Sequence, residues 1–206
     1  MGLIAKESGG SGFAPVNEGL HQAVAYSLYD LGTHFNEKFN KHAHQILIIW
    51  EIPGERIDID KDGEKLNLPR AISKKYTLSL GEKANLRKDL QTWRGRAFTA
   101  EELKGFDMKN ILGKSCQIQI IHNKKDEKIY ANITAIMPTP KGSIPLTPEN
   151  PVRFYSIIDH GQNIPEGTPD WITDIIKESD EWVNFKPTGP GDEPLQNFYP
   201  EDDIPF

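Results

Sequence analysis

Ten cationic and aromatic side chains lie within 25 residues near the middle of the chain. They are Lys74, Lys75, Tyr76, Lys83, Arg87, Lys88, Trp93, Arg94, Arg96 and Phe98. Cations neutralise phosphates and flat rings stack on bases, and these are the two contacts that single-stranded nucleic acid requires. The cluster therefore predicts a nucleic-acid interface. A structural alternative stays open, in which Trp93 completes an apolar helix stripe with Leu86 and Leu90 and the lysines form a solvated helix face.

Charge is strongly segregated along the 206 residues. The total is −6, which by itself argues against a nucleic-acid-binding protein. Residues 70–128, however, contain 14 basic and seven acidic residues, whereas residues 149–206 contain three basic and 13 acidic ones. Local fields matter more than the total. The basic middle of the chain is therefore where we expect an anionic ligand.

Signals for enzymatic or metal chemistry are weak. His42 and His44 alternate along a strand as two ligands could, but no third ligand has a suitable spacing, so we interpret them as exposed strand histidines. The single cysteine, Cys116, excludes an intrachain disulfide. We expect no catalytic residues, no metal and no cofactor. Apolar runs are too short for a membrane helix, and we expect no membrane partner.

The order of elements predicts the fold class. Strands are predicted at 19–31, 44–52, 73–80, 114–122, 128–137 and 152–158, and helices at about 79–93 and 169–182. Three strands, a helical insertion and a hairpin match a five-stranded OB-type barrel. We therefore predict a mainly β domain at 13–183, with a helical insertion after the third strand and an additional C-terminal helix. Residues 1–12 are predicted to be a flexible leader and 184–206 a disordered acidic tail.

Side-chain alternation predicts which strand faces are buried. Residues expected in the core are Ile46, Ile48, Trp50, Ile52, Cys116, Ile118, Ile120, Ile129, Ala131, Ile133, Ala135 and Met137. Tyr130 points away from its apolar neighbours in this scheme. We therefore add Tyr130 to the residues predicted to stack on bases. Capping-box patterns at Ser79–Glu82 and Thr99–Glu102 predict two helix starts.

The C-terminal residues form a second candidate site. Asp202, Asp203, Ile204, Pro205 and Phe206 follow a stretch rich in proline and glycine. Phe206 suits an apolar pocket, and the aspartates suit a basic rim. This ending resembles the acidic tip of bacterial single-stranded-DNA-binding proteins. The resemblance implies that the tip recruits replication and repair proteins.

The body of the chain also resembles a known family. SKKYTLSLGEKANLRKDLQTWRGRAFTAEELKGFDMKNILGK, followed by YANITAI, is similar to phage-encoded single-stranded-DNA-binding proteins, over most of residues 14–142. The resemblance implies sequence-independent single-stranded DNA binding in phage replication, recombination and repair, in the cytoplasm of an infected bacterium. Monomer and homo-oligomer both stay open. The alternative is a protein-binding adaptor that uses the tip to engage host repair enzymes without binding DNA.

Overall fold

The computed structural model of the chain describes residues 14–61 and 63–185. The predicted leader at 1–12, the predicted tail beyond Phe185 and the tip lie outside the described residues. The side chains of Lys38 and Lys61 are also outside them. The interpretation of these segments therefore stays a prediction.

Six strands and four helices are described. The strands are β1 (Gly19–Asn36), β2 (Lys41–Lys61), β3 (Glu64–Thr77), β4 (Ser115–Lys125), β5 (Lys128–Met137) and β6 (Arg153–Tyr155). The helices are α1 (Asn85–Arg94), α2 (Ile157–His160), α3 (Asp170–Lys177) and α4 (Asp180–Val183). Short 3-10 turns occupy Glu37–Phe39 and Met108–Ile111. β2 and β3 pair with each other as a hairpin, with Lys61 opposite Glu64, and both are longer than the strands predicted at 44–52 and 73–80.

The strands form a curled half-barrel. Their order is β3-β2-β1-β4-β5, every neighbouring pair is antiparallel, and α1 lies against both β3 and β5. The short strand β6 pairs in parallel with β1, Ser27 opposite Arg153 and Tyr29 opposite Tyr155. This arrangement is of the OB type, with a helix between the third and fourth strands. The predicted fold class is confirmed.

The first core fills the inside of the barrel. Its buried residues include the predicted Ile46, Ile48, Trp50, Ile52, Cys116, Ile118 and Ile120, together with Leu86, Leu90 and Trp93 of α1. The rings of Trp50 and Trp93 lie 5.9 Å apart, centre to centre. The period-two pattern of the strands and the stripe on α1 therefore meet in one cluster.

A second core covers the outer face of β1 and β2. It contains Tyr29, Leu31, Leu47 and Ile49 from the sheet, and Tyr155, Ile157, Ile172 and Ile176 from the C-terminal layer, which we define as residues 153–185. Both faces of β2 are thus buried near its middle. This explains why residues 46–50 are continuously apolar rather than alternating.

Three core predictions about β5 are wrong, for two physical reasons. The pairing of β4 with β5 shifts between Gln119 and Ile120, so that Ile120 faces Ile133 and Gln119 faces Ala135. A bulge of this kind moves later side chains to the opposite face. Ile136 is therefore buried, in place of Ala135 and Met137. Ile129 is 52% exposed because the hairpin extends past the barrel.

The predicted helix boundaries are partly wrong. Ser79 does not cap α1: its Oγ accepts a hydrogen bond from the Gly81 N–H, and α1 begins only at Asn85. The Thr99–Glu102 pattern does form both hydrogen bonds of a capping box, although only turns follow. The predicted C-terminal helix is broken into α3 and α4. Ser179 lies at the break and accepts the Trp182 N–H.

Hydrogen bonds from β1 and β2 fix α4 to the rim of the barrel. Glu181 accepts the N–H and the hydroxyl of Thr33, both at 2.6 Å. His42 contacts Asp180 at 2.6 Å, and His44 Nε2 contacts Asp30 at the same distance. These histidines therefore pair with carboxylates. Gly32 permits the close approach, because a Cβ there would lie 2.4 Å from the Cβ of Ser179.

We predict that His44 makes stability depend on pH. Its hydrogen bond to Asp30 raises the pKa of His44, and Glu181 lies 3.5 Å from its other nitrogen. A raised pKa stabilises the fold below the ordinary value of the imidazole, and this contribution is lost as pH rises through the folded pKa. In urea unfolding at pH 6 and pH 8, His44→Gln should therefore lose less stability with rising pH than the parent chain.

The matched control is His34→Gln, since His34 contacts only the carbonyl of Leu31 among the hydrogen bonds of the described residues. A change of pH dependence in His44→Gln that this variant does not share would assign the effect to the His44–Asp30 contact rather than to the loss of an imidazole in general. Equal pH dependence of the parent and His44→Gln would show that His44 does not titrate with folding.

Candidate nucleic-acid interface

The predicted interface residues fall into three groups by their exposure. Those exposed to solvent are Lys75, Lys83, Lys88, Arg96 and Tyr130; Lys74 and Arg87 are half-buried; Tyr76, Trp93 and Phe98 are buried, as is the side chain of Arg94. The structure gathers most of them around the junction of β3 and α1. Their roles in that junction differ.

Asp89 of α1 joins the helix to β3. Its Oδ2 accepts hydrogen bonds from Lys74 Nζ at 2.7 Å and from the Tyr76 hydroxyl at 2.8 Å. Burial, together with the Asp89 charge, raises the pKa of Tyr76. The charge of Lys74 is therefore neutralised within the fold. Tyr76 holds α1 in place and does not offer a ring face to solvent.

Trp93 packs in the core, as the structural alternative to base stacking predicts. It is 2% exposed, and its Nε1 donates to the carbonyl of Ser115 at 2.9 Å. Arg87 also has a local role, because its Nη1 donates to the carbonyl of Leu80 and supports the loop that leads into α1. Both residues therefore fix the position of α1.

The segment after α1 folds around Glu102. This carboxylate binds the Arg94 guanidinium and accepts two hydrogen bonds from Arg96, at 2.8 and 3.1 Å. Arg94 lies between the rings of Phe98 and Phe106, 4.6 and 5.1 Å from their centres. Burial alone would raise the pKa of Glu102, but hydrogen bonds from Arg96, the Thr99 N–H and Arg94 lower it to about 2.

Three exposed lysines remain around the junction. Lys75 lies on the outer side of β3, Lys83 precedes α1 and Lys88 lies on α1. Within the described residues, none of them forms an ion pair with a carboxylate. Because no carboxylate of the described residues pairs with these lysines, their charges are available to bind phosphates.

The β4–β5 hairpin is a second surface with exposed cations, which flank the exposed acids Asp126 and Glu127, and the sequence pattern had placed only Tyr130 of this hairpin in the interface. Lys124, Lys125 and Lys128 are exposed around its turn, and Tyr130 is 49% exposed. The signal for the three lysines was present as a charged turn beside an outward-facing tyrosine. OB-type barrels bind ligands with the loop between their fourth and fifth strands, which is this hairpin.

The C-terminal layer limits the available surface. OB-type barrels also use the outer face of strands two and three. Here Leu47 and Ile49, on the outer face of β2, are buried under the C-terminal layer, whereas Ser73, Lys75 and Thr77 of β3 are exposed. The candidate interface therefore consists of the outer side of β3, Lys83 before α1 together with Lys88 on it, and the β4–β5 hairpin.

Comparison with known proteins adds no family: neither the protein-family models nor the curated proteins contain a match to this chain. Within residues 14–61 and 63–185, no group of three or more His, Cys, Asp or Glu side chains is arranged to hold a metal ion. No helix in the same residues has the length and apolar character needed to cross a membrane.

We predict that Glu102 is essential for the fold of the segment after α1. Glu102→Gln removes the carboxylate charge that pairs with two guanidinium groups, one of them buried, and should reduce the free energy of unfolding by about 3–5 kcal/mol. The neighbouring Glu101→Gln is the matched control. Its side chain is 79% exposed and pairs only with Lys104 in the described structure, so it should change stability by less than about 0.5 kcal/mol. Urea unfolding of both variants measures the difference, and equal effects would contradict this role.

Proposed function

We propose that the chain binds single-stranded DNA without sequence preference. The observation that carries the proposal is the set of exposed lysines unpaired among the described residues, beside β3, on α1 and around Tyr130, on an OB-type barrel. Such a surface supplies phosphate neutralisation and a ring for stacking. Binding of this kind depends strongly on salt because it releases counterions.

Only some of the ten residues of the middle cluster are proposed to contact DNA. Lys75, Lys83 and Lys88 contact phosphates beside the barrel, and the lysines of the β4–β5 hairpin do so around Tyr130. Tyr76, Trp93, Arg94 and Phe98 support the interface from inside, because they are buried. Reversing the charge of Arg94 would therefore test folding and not DNA contact.

The proposed biological role includes the C-terminal tip. Asp202, Asp203, Ile204, Pro205 and Phe206 recruit replication and repair proteins to DNA held by the barrel, in phage replication, recombination or repair within the bacterial host. The support is the resemblance of these residues to the bacterial tip and the acidity of residues 149–206. The tip lies outside the described residues, so the proposal rests there on sequence alone.

A protein-binding adaptor is the second candidate. Its support is the pair of exposed phenylalanines at the β1–β2 tip, Phe35 and Phe39, which are more than half exposed. Exposed aromatic groups are common at protein interfaces. An adaptor of this kind would bind no single-stranded DNA at low salt, so direct binding measurements separate the two candidates.

We predict that the junction lysines determine the salt dependence. In fluorescence titrations of a dT oligonucleotide at several salt concentrations, the triple variant Lys75→Ala, Lys83→Ala, Lys88→Ala should bind more weakly than the parent. The slope of log affinity against log salt should fall by about 2, since each lost single-strand phosphate contact removes about 0.7.

The control triple is Lys104→Ala, Lys109→Ala, Lys177→Ala, which removes the same charge outside the interface. Lys104 and Lys109 already pair with Glu101 and Asp159. The control should keep the parental slope. Equal losses in both triples would indicate a general charge effect, and absence of binding by the parent chain would favour the adaptor.

We predict that Tyr130 stacks on a base. Tyr130→Ala should weaken oligonucleotide binding by roughly tenfold, within the range of about 1–3 kcal/mol per stacked base. Trp171→Ala is the matched control, because Trp171 is also 49% exposed but lies on α3 in the C-terminal layer. Thermal unfolding verifies that both variants are folded. Equal affinities of the two variants would remove Tyr130 from the interface.

A further inference from the structure

The outer face of β1, β4 and β5 is exposed to solvent next to the β4–β5 hairpin. The inner side of these strands is buried in the first core and includes Cys116, Ile118, Ile120 and Ile133. Because side chains alternate along a strand, the residues next to these point outward. The outward residues form four cross-strand pairs: Leu20 with Gln119, Ile121 with Asn132, Asn123 with Tyr130, and Lys125 with Lys128. We call these eight residues the open face; Gln119 is half-buried and the others are exposed.

Three apolar side chains cross the open face along a diagonal. Leu20, Ile121 and Tyr130 are each at least 40% exposed. Ile121 lies two residues beyond the partner of Leu20 on β4, and Tyr130 lies two residues from the partner of Ile121 on β5. Diagonal neighbours of this kind are about 7–8 Å apart, within reach of aromatic and long side chains. The three residues therefore occupy adjacent positions of one line, which we call the diagonal stripe.

The diagonal stripe ends at a groove beside the start of β1. The pairing of β1 with β2 begins with Val24 opposite Glu51, so the two strands separate on the Leu20 side of this pair. The groove at this separation has a volume of about 350 Å³. Its lining residues include Leu20, Ile52, Pro53 and Leu146. Leu20 therefore belongs both to the stripe and to the groove.

Two lysines face each other at the other end of the stripe. Lys125 and Lys128 are directly opposite in the last pair of the β4–β5 ladder, and Asp126 and Glu127 form the turn between them. Neither lysine forms an ion pair with a carboxylate of the described residues. Like charges at directly opposite positions destabilise a hairpin. A bound anion would remove this repulsion, so the pair points to an anionic ligand on the open face.

We infer that the open face binds the bases of single-stranded DNA, which pack along the diagonal stripe from Tyr130 towards Leu20. Lys125 and Lys128 hold the phosphates at one end, and Ile121 and Leu20 contact the apolar faces of successive bases. This inference rests on the proposed function and extends it. Leu20 and Ile121 lie outside the contacts proposed above, and they meet bases and not phosphates.

The chemistry of the open face favours unpaired bases over a second copy of the chain. None of its eight residues is acidic, so no carboxylate of this set repels phosphate. Gln119, Asn123 and Asn132 supply amides, which form hydrogen bonds with base edges. The apolar part is one side chain wide, whereas a stable interface between copies buries about 800 Å² per partner around an apolar centre.

Oligonucleotides with and without bases test the inference in the full chain. Ile121→Thr keeps a β-branched residue and should weaken binding of a dT oligonucleotide about fourfold, the loss expected when one apolar carbon leaves a contact. Leu20→Thr should behave in the same way. Binding of an abasic oligonucleotide with the same number of phosphates should be unchanged in both variants, because they retain every phosphate contact.

The matched control is Ile129→Thr. Ile129 is 52% exposed and opposite Lys124, on the other face of the same hairpin. This variant should keep the parental affinity for both oligonucleotides. Thermal unfolding verifies that all three variants are folded.

The other outcomes separate this inference from the proposed function. Parental dT affinity in Ile121→Thr and Leu20→Thr would overturn the inference and leave the proposed function standing, whereas absence of dT binding by the parent chain would overturn both. Equal losses for dT and abasic oligonucleotides, or an equal loss in Ile129→Thr, would show that the stripe does not meet bases. A smaller mass of Ile121→Thr than of the parent in light scattering, with unchanged dT affinity, would assign the stripe to a second copy.

Discussion

Burial of β1 and β2 on both faces is the constraint on which the rest of the molecule depends. Inside the barrel, Trp50 and its neighbours pack on α1 and β4; outside, Leu47 and Ile49 pack under the C-terminal layer. A strand that is buried on both faces has no exposed side chains with which to bind a ligand. The candidate interface is consequently displaced to β3, α1 and the β4–β5 hairpin, where one face of the backbone remains exposed.

Positive charge in this chain has two separate uses. Asp89 pairs with Lys74, and the single carboxylate of Glu102 pairs with both Arg94 and Arg96, and these contacts fix α1 and the segment that follows it. Lysines unpaired in the described structure are left at the surface. A buried guanidinium is costly unless it is paired, so an internal cation requires a specific acid, whereas a surface lysine requires none. Counting basic residues along the sequence cannot separate these two uses.

The OB-type order of strands and the first core could be predicted, because they follow from period-two alternation and from the stripe of Leu86, Leu90 and Trp93. The second core could not, because a strand buried on both faces has no alternation to detect. The burial of Ile136 in place of Ala135 and Met137 depended on a bulge, which a single-residue shift in pairing creates without any marker in the sequence. At the candidate site, the exposure of Tyr130 was predicted correctly. The internal pairing of Arg94 was missed, because Glu102 is eight residues away and had been interpreted only as a helix cap.

The placement of Cys116 has a chemical consequence. It is the only cysteine in the chain, it is buried, and burial raises the pKa of its thiol. The thiolate is the form that reacts with oxidants and alkylating reagents, so this side chain is protected both by sterics and by its protonation state. The folded protein is therefore inert toward thiol chemistry. A cysteine introduced at any surface position would be the only reactive thiol in the chain, ready for site-specific labelling without removal of the native residue.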